Sequence, residues 1–129
     1  MNDMVFKSIL VVIGGGLGAL SRYHTSLVAV KIFGDRFPFG TLLVNLTGCL
    51  VIGILFTLGN DRNIIGPETR LFLMTGFLGG LTTFSSYGLE SVNFARSGSL
   101  DITAINFLAN NVGGYLLVFI GLRIGKLFS

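Results

Sequence analysis

Polar side chains that could bind an ion lie inside segments that are otherwise apolar. Asn45 is central in the uncharged run from 37 to 59, and Thr41 precedes it by one helical turn, on the same face of a helix. Polar groups at membrane depth are costly, so each of them is a candidate for function. The Asn45 amide has two alternatives: a hydrogen bond between helices, or a donor that lines a path for an anion.

The run from 71 to 89 contains the sequence GGLTTFSSY at positions 79–87. Two glycines followed by β-branched and hydroxyl-bearing residues make a poor helix centre, which predicts a break near residue 80. Non-helical backbone at membrane depth is tolerated only where it is buried in protein or lines a cavity, and its freed carbonyl groups could hold a cation. An intact helix, with Ser and Thr side chains bonding back to their own turn, is the alternative that we do not favour.

Two other apolar segments carry polar residues. Arg22 lies inside the first, where its side chain either reaches the membrane interface as an anchor or supplies positive potential at an anion vestibule. The fourth contains Asn106, Asn110 and Asn111, and the first two of these share a helix face. Three amides in one membrane helix are unusual for packing alone.

The elements that must position these residues are helices that cross a membrane. The chain has 129 residues, 12% of them charged, and a mean hydropathy of +0.80. Soluble domains carry about 25% charged residues. A bilayer-spanning helix needs about 20 apolar residues, and backbone groups in lipid must be satisfied within the segment. The sequence therefore predicts an all-α integral membrane protein, a single domain over 1–129 with spans at about 5–30, 37–59, 69–95 and 102–126.

The basic residues between these spans are nearly balanced across the bilayer. Four spans put both termini on one side, and the Lys/Arg count of the loops sets the orientation. One side carries Lys7, Arg62, Arg70, Arg123 and Lys126, and the other carries Lys31, Arg36 and Arg96. So weak a bias predicts insertion in both directions and an antiparallel, dual-topology homodimer. The basic residues form no run that would indicate a nucleic-acid partner.

Glycines recur at a spacing of four residues in three of the spans. The pairs are Gly14 and Gly18, Gly76 and Gly80, and Gly121 and Gly125. Small residues at this spacing let helices approach closely. They line either a crowded bundle within one chain or the face between two chains.

These motifs together resemble those of the Fluc (CrcB) fluoride channels. The resemblance rests on GGLTTFSSY followed by Glu90, on GTLLVNL at 40–46 and on an N-terminal Gly-Gly…Gly…Arg-Tyr that ends at Tyr23. It covers essentially the whole chain, including its length and its four spans. The third-span motif is the most specific element, and the fourth span matches weakly.

The resemblance implies a function and an assembly. Two antiparallel subunits in the bacterial inner membrane would form two pores that export fluoride passively, exclude chloride and protect the cell from fluoride toxicity. A sodium ion at the dimer centre would be held by the backbone carbonyl groups of Gly79 and Thr82. The residues implied for the fluoride pore, together with Thr41 from its helix face, are Asn45, Thr83, Phe84, Ser85, Tyr87, Glu90, Asn111 and Arg22.

Two residues depart from the family pattern, and two other functions compete with the channel. Tyr87 stands where phenylalanine is usual, and Tyr115 stands where a small serine is common. The alternative function is a proton-coupled small multidrug transporter, which needs a carboxylate buried in its first helix. The first span contains none, because Asp3 lies at the terminus. A structural assembly subunit is the second alternative, and it would not need Asn45 or a broken third helix.

Overall fold

The computed structural model describes residues 2–128, and the regular structure in this range is helical. The all-helical class predicted from the sequence is confirmed. Three long helices are α1 (Asp3–Phe33), α2 (Phe39–Asp61) and α5 (Leu100–Phe128). Between α2 and α5 lie α3 (67–81) and α4 (Phe84–Arg96). The helical hydrogen-bond pattern widens to π-helical in Thr57–Asp61, Leu71–Leu78 and Ala109–Gly113.

Three of the helices are long and apolar enough to cross a membrane. These helices, α1, α2 and α5, contain 31, 23 and 29 residues. At 1.5 Å per residue the shortest, α2, extends about 35 Å, against a hydrocarbon core of about 30 Å. The remaining predicted span, 69–95, falls on α3 and α4 together.

Local sequence signals mark the helix ends. The Asn2 side-chain oxygen accepts a hydrogen bond from the Met4 amide at 2.9 Å and caps α1. Gly34 ends α1 with a φ of +79°, a conformation that side chains other than glycine rarely adopt. Pro67 occupies the first turn of α3, where its missing N–H has no helical partner to lose.

Glycines bring α1 and α3 into backbone contact. A Cβ atom on Gly18 would overlap the Phe77 carbonyl group, and one on Gly80 would overlap the Gly15 carbonyl group. Helix α2 meets α5 in the same way, since a Cβ on Gly121 would overlap the Leu50 carbonyl group. The spaced glycines of the sequence therefore pack helices together within one chain.

Few large apolar side chains are buried inside this single chain. The core cluster consists of Val44, Leu78 and Leu81, with Val51, Ile52, Leu55 and Phe77 packed against it. Many Leu, Ile, Val and Phe side chains on α1 and α5 are more than two-fifths exposed. Such a distribution suits a chain whose outer surface meets lipid or another apolar surface.

The contact between α1 and α3 generates a stability prediction. Gly18→Ala should destabilise the protein by about 1–3 kcal/mol, because the added methyl group forces the two backbones apart. The matched control is Gly16→Ala on the same helix, where an added Cβ would meet no atom within 4 Å. Thermal unfolding in detergent measures both variants. Equal unfolding temperatures for the two would contradict the close packing of α1 on α3.

Candidate functional site

Two extended residues, Thr82 and Thr83, separate α3 from α4 and are called the break below. Thr82 has φ and ψ of −81° and 152°, and Thr83 has −149° and 116°. The Thr82 amide and hydroxyl both donate to the Leu78 carbonyl, at 3.0 Å and 2.8 Å, so Thr82 terminates α3. The Thr83 hydroxyl oxygen accepts a hydrogen bond from the Ser86 amide at 3.2 Å and caps α4. Thr82 therefore ends one helix and Thr83 begins the next.

The side chain of Asn45 holds the extended backbone at Thr83. Its Oδ1 accepts from the Thr83 amide at 2.8 Å, and its Nδ2 donates to the Thr83 carbonyl oxygen at 3.1 Å. Nδ2 also donates to Oδ1 of Asn110 at 3.0 Å. Asn45 thus replaces the helical hydrogen bonds that Thr83 lacks. The interhelical alternative for Asn45 is observed, and donation to an anion stays a prediction.

The amides of α5 continue this hydrogen bonding, and only Asn111 of the three was among the predicted pore residues. Asn110 donates to the carbonyl oxygen and to Oδ1 of Asn106, each at 2.9 Å. Asn106 is fully buried and donates to the Ser91 hydroxyl at 2.9 Å. Asn111 donates to the Tyr87 hydroxyl and to the Phe107 carbonyl, also at 2.9 Å. The four-residue spacing of Asn106 and Asn110 was the available signal.

A cavity of about 350 Å³ lies beside the break. Seven predicted site residues line it: Asn45, Gly79, Thr82, Thr83, Phe84, Tyr87 and Asn111. Asn110, Cys49 and Gly48 line it as well. Gly48 is required here, because a Cβ at that position would overlap the Thr82 methyl group. Ser85 lies close by, with its hydroxyl oxygen 3.4 Å from that of Thr83.

Two aromatic rings form one side of this cavity. The rings of Phe84 and Tyr87 meet edge to face, with centroids 5.6 Å apart and planes inclined at 66°. Tyr87 is only 7% exposed, and its hydroxyl group accepts the hydrogen bond from Asn111. Phe84, a large apolar residue at the start of α4, is 82% exposed. The single chain therefore leaves this wall of the cavity uncovered.

The carbonyl groups at the end of α3 are not all occupied. The Gly80 carbonyl accepts a hydrogen bond from Nε of Arg22 at 3.1 Å. The carbonyl groups of Gly79 and Thr82 accept no hydrogen bond from the rest of residues 2–128. Arg22 thus joins α1 to the end of α3, and both predicted roles, the anchor at the membrane interface and the positive potential at an anion vestibule, stay predictions.

Thr41 and Glu90 form a separate polar pair. The Thr41 hydroxyl donates to one carboxylate oxygen of Glu90 at 2.7 Å. The other oxygen, Oε2, is buried and has no hydrogen-bond partner within residues 2–128. Both residues line a second cavity of about 230 Å³, together with Ser26 and Asp35. The predicted site residues therefore fall into a group at the break and a pair nearer the start of α2.

Comparison with known proteins identifies the family. The family model described as CrcB-like protein, Camphor Resistance (CrcB), matches residues 9–122. A relative from Chlorobium phaeobacteroides (strain BS1) is 42% identical over 129 residues, which cover 100% of both chains. A relative from Maridesulfovibrio salexigens is 40% identical over 121 residues, which cover 94% of this chain and 96% of the relative. One from Dehalococcoides mccartyi (strain CBDB1) is 42% identical over 121 residues, which cover 94% of this chain and 93% of the relative. All three are named fluoride-specific ion channel FluC. The chain belongs to the CrcB family, as its motifs predicted.

Proposed function

We propose that this protein is a fluoride-selective channel through which fluoride leaves a bacterial cell down its gradient. The observation that carries the proposal is the cavity beside the break, where the capped start of α4 and two aromatic rings meet. The names of the full-length relatives support the choice of ion. Those names describe channels, so ion passage and not bond chemistry is the activity to be explained.

Fluoride is small and strongly hydrated, so the protein must replace its water. An unpaired ion in a medium of low dielectric constant would cost many kcal/mol, and hydrogen-bond donors are needed to offset that cost. The first amides of α4 have no partner within their helix, and a helix N-terminus attracts anions through its dipole. The hydroxyl groups of Thr83 and Ser85 lie at the same helix end. These groups form a short track beside the cavity, in which the Thr83 hydroxyl, now donating to that of Ser86 at 3.1 Å, would turn to the ion.

The two aromatic rings suit an ion that must leave again. An aromatic ring has a negative face and a positive edge, so the edges of Phe84 and Tyr87 attract an anion weakly. Weak successive sites favour conduction, because an ion that binds tightly does not move on. Chloride, which is larger, would fit poorly in a narrow passage of this kind. The rings thereby combine passage with selectivity.

A second copy of the chain is part of the proposal. Phe84 is exposed in the single chain, and the cavity that it lines is open on that side. A second chain packed there would cover the ring and close the passage. The near balance of basic residues across the bilayer favours an antiparallel arrangement in the inner membrane. The third membrane span would then consist of α3, the break and α4.

The residues at the break fit a cation between the two copies. The Gly79 and Thr82 carbonyl oxygens have no hydrogen-bond donor within residues 2–128, and carbonyl oxygens are ligands for hard cations such as sodium. When bound, sodium would supply positive charge that offsets the repulsion between anions in two neighbouring pores. Gly79 is exposed in the single chain, as a shared site requires.

Flux measurements test the proposed channel. Vesicles with the purified protein, loaded with potassium fluoride, should release fluoride when a potassium ionophore is added, and a fluoride electrode records it. Phe84→Ile should slow release about fivefold, since an aromatic edge contributes about 1 kcal/mol and about 1.36 kcal/mol is tenfold in rate. Phe6→Ile, an exposed site on α1, is the control and should match wild type.

Three outcomes of this experiment would overturn the channel. Vesicles impermeable to fluoride, or equally leaky to chloride, would remove the selective pore. Transport that requires a proton gradient would indicate the small multidrug transporter instead. Wild-type release by Phe84→Ile would remove the aromatic edge from the mechanism.

Topology and cation exchange test the assembly. Protease added outside sealed inner-membrane vesicles should remove a C-terminal tag from some chains and leave it on others, because both orientations are present. A chain with several lysines added at its C-terminus should adopt one orientation and give a uniform result. Light scattering should give the mass of two chains. Exchange of sodium for N-methylglucamine should reduce fluoride release. A tag found only on the cytoplasmic face would exclude the antiparallel dimer, and unchanged release without sodium would exclude the cation.

The Thr41–Glu90 pair generates a separate stability prediction. Thr41→Val should cost about 1–3 kcal/mol, because it leaves both oxygens of a partly buried carboxylate without a hydrogen bond. Thr41→Ser should recover most of the loss, and Thr47→Val, at an exposed site on the same helix, is the control. Thermal unfolding in detergent measures all three. If Thr41→Val is no less stable than Thr47→Val, the pair does not hold α2 to α4.

A further inference from the structure

Four side chains form one continuous chain of hydrogen bonds from the middle of α4 back to its beginning. Asn106 Nδ2 donates to Ser91 on α4, Asn110 Nδ2 donates to Asn106 Oδ1, and Asn45 Nδ2 donates to Asn110 Oδ1. Asn45 then binds both backbone groups of Thr83, the cap of α4. The chain therefore crosses from α4 through α5 and α2 and returns to α4.

Each amide in this chain fixes the orientation of the next. An asparagine carries an acceptor on one side and two donor hydrogens on the other, so a reversed amide meets the wrong partner. Both donor bonds of Asn110 go to Asn106, one to its carbonyl and one to its side chain. The oxygen of Asn110 must then face Asn45. The donor bond to Ser91 turns the oxygen of Asn106 toward Asn110 in the same way.

Asn106 is a member of this chain of hydrogen bonds but lies outside the cavity. It is 0% exposed and does not line the cavity beside the break. Without the Asn106 side-chain oxygen, the Asn110 amide keeps only its bond to the backbone carbonyl of residue 106, so one of the two donor bonds that fix its orientation toward Asn45 is gone. The bond from Asn45 to Asn110, which supplements its two bonds to Thr83, would then be weakened. A residue that does not line the cavity is thus joined through Asn110 and Asn45 to the backbone at Thr83.

We propose that Asn106, oriented by Ser91, is a positioning residue for fluoride passage that acts through Asn110 on the Asn45 amide. The proposal rests on the channel function proposed above. Asn106→Leu, which keeps a similar volume without side-chain donors or acceptors, should lower fluoride release about fivefold, as expected for the loss of about one hydrogen bond. Ser91→Ala should lower it in the same direction by a smaller factor.

A double-mutant cycle separates positioning from ordinary structural damage. Residues that act through one another give non-additive effects, whereas independent residues give additive ones. Asn106→Leu should therefore cost less than about twofold in an Asn45→Ala background, in contrast to its effect in wild type. The control is Thr57→Val, which removes a fully buried hydroxyl that also joins α2 to α5 but lies outside the chain of amides. Its effect should be the same in both backgrounds.

The first measurement is the rate of fluoride release, divided by the amount of purified protein that has the same particle size as wild type. The second is the unfolding temperature. The unfolding cycle detects the coupling of Asn106 to Asn45 even if the Asn45→Ala protein conducts too little to measure. If Asn106→Leu does not yield a uniform particle, the cycle of Ser91→Ala with Asn45→Ala replaces it. Wild-type vesicles that pass no fluoride would overturn the channel while leaving the coupling measurable by unfolding. Additive effects in both readouts, or wild-type release by both single variants, would overturn the positioning role.

Discussion

The reciprocal pair of hydrogen bonds between Asn45 and the Thr83 backbone is the interaction on which this structure depends. Two extended residues between apolar helices have amide and carbonyl groups outside any helical hydrogen-bond pattern, and each such group left unpaired costs several kcal/mol in lipid. One asparagine side chain satisfies both groups at Thr83. The break can therefore persist, and with it the start of α4, the cavity and the carbonyl groups of Gly79 and Thr82.

Close helix packing holds the Asn45 side chain next to the Thr83 backbone. Gly18 and Gly80 bring α1 against α3 just before the break, and Arg22 on α1 binds the Gly80 carbonyl group. Gly48 makes room on α2 for the methyl group of Thr82, one helical turn beyond Asn45. A larger side chain at Gly18 or Gly80 would displace backbone, and one at Gly48 would displace the Thr82 side chain, since interiors are packed without spare volume. These glycines thus let the helices approach closely enough for the Asn45 side chain to reach the Thr83 backbone.

The sequence predicted the helical class well, because apolar run length is a local property. It also placed Thr41 and Asn45 on one helix face, which four-residue spacing determines. The partners of these two side chains lie 49 and 38 residues away in the chain, at Glu90 and Thr83. No periodicity reports such distant contacts, so Asn110, 65 residues from Asn45, was not recognised as its partner. The choice of fluoride came from family motifs and not from spacing.

The Asn45 amide has one set of hydrogens for two tasks. One task is positioning, and in the structure the donor nitrogen already makes two hydrogen bonds for it, to the Thr83 carbonyl and to Asn110. The other task, in the proposed channel, is donation to the ion. A hydrogen bond to an ionised acceptor is roughly twice as strong as one between neutral groups, so a fluoride ion within reach competes with the Asn110 oxygen for the same hydrogen. In the proposed channel, donation to the ion would replace the bond to Asn110, while the two bonds to Thr83 remain. Asn106 and Ser91, which hold Asn110 in place, would then set the free energy of this exchange.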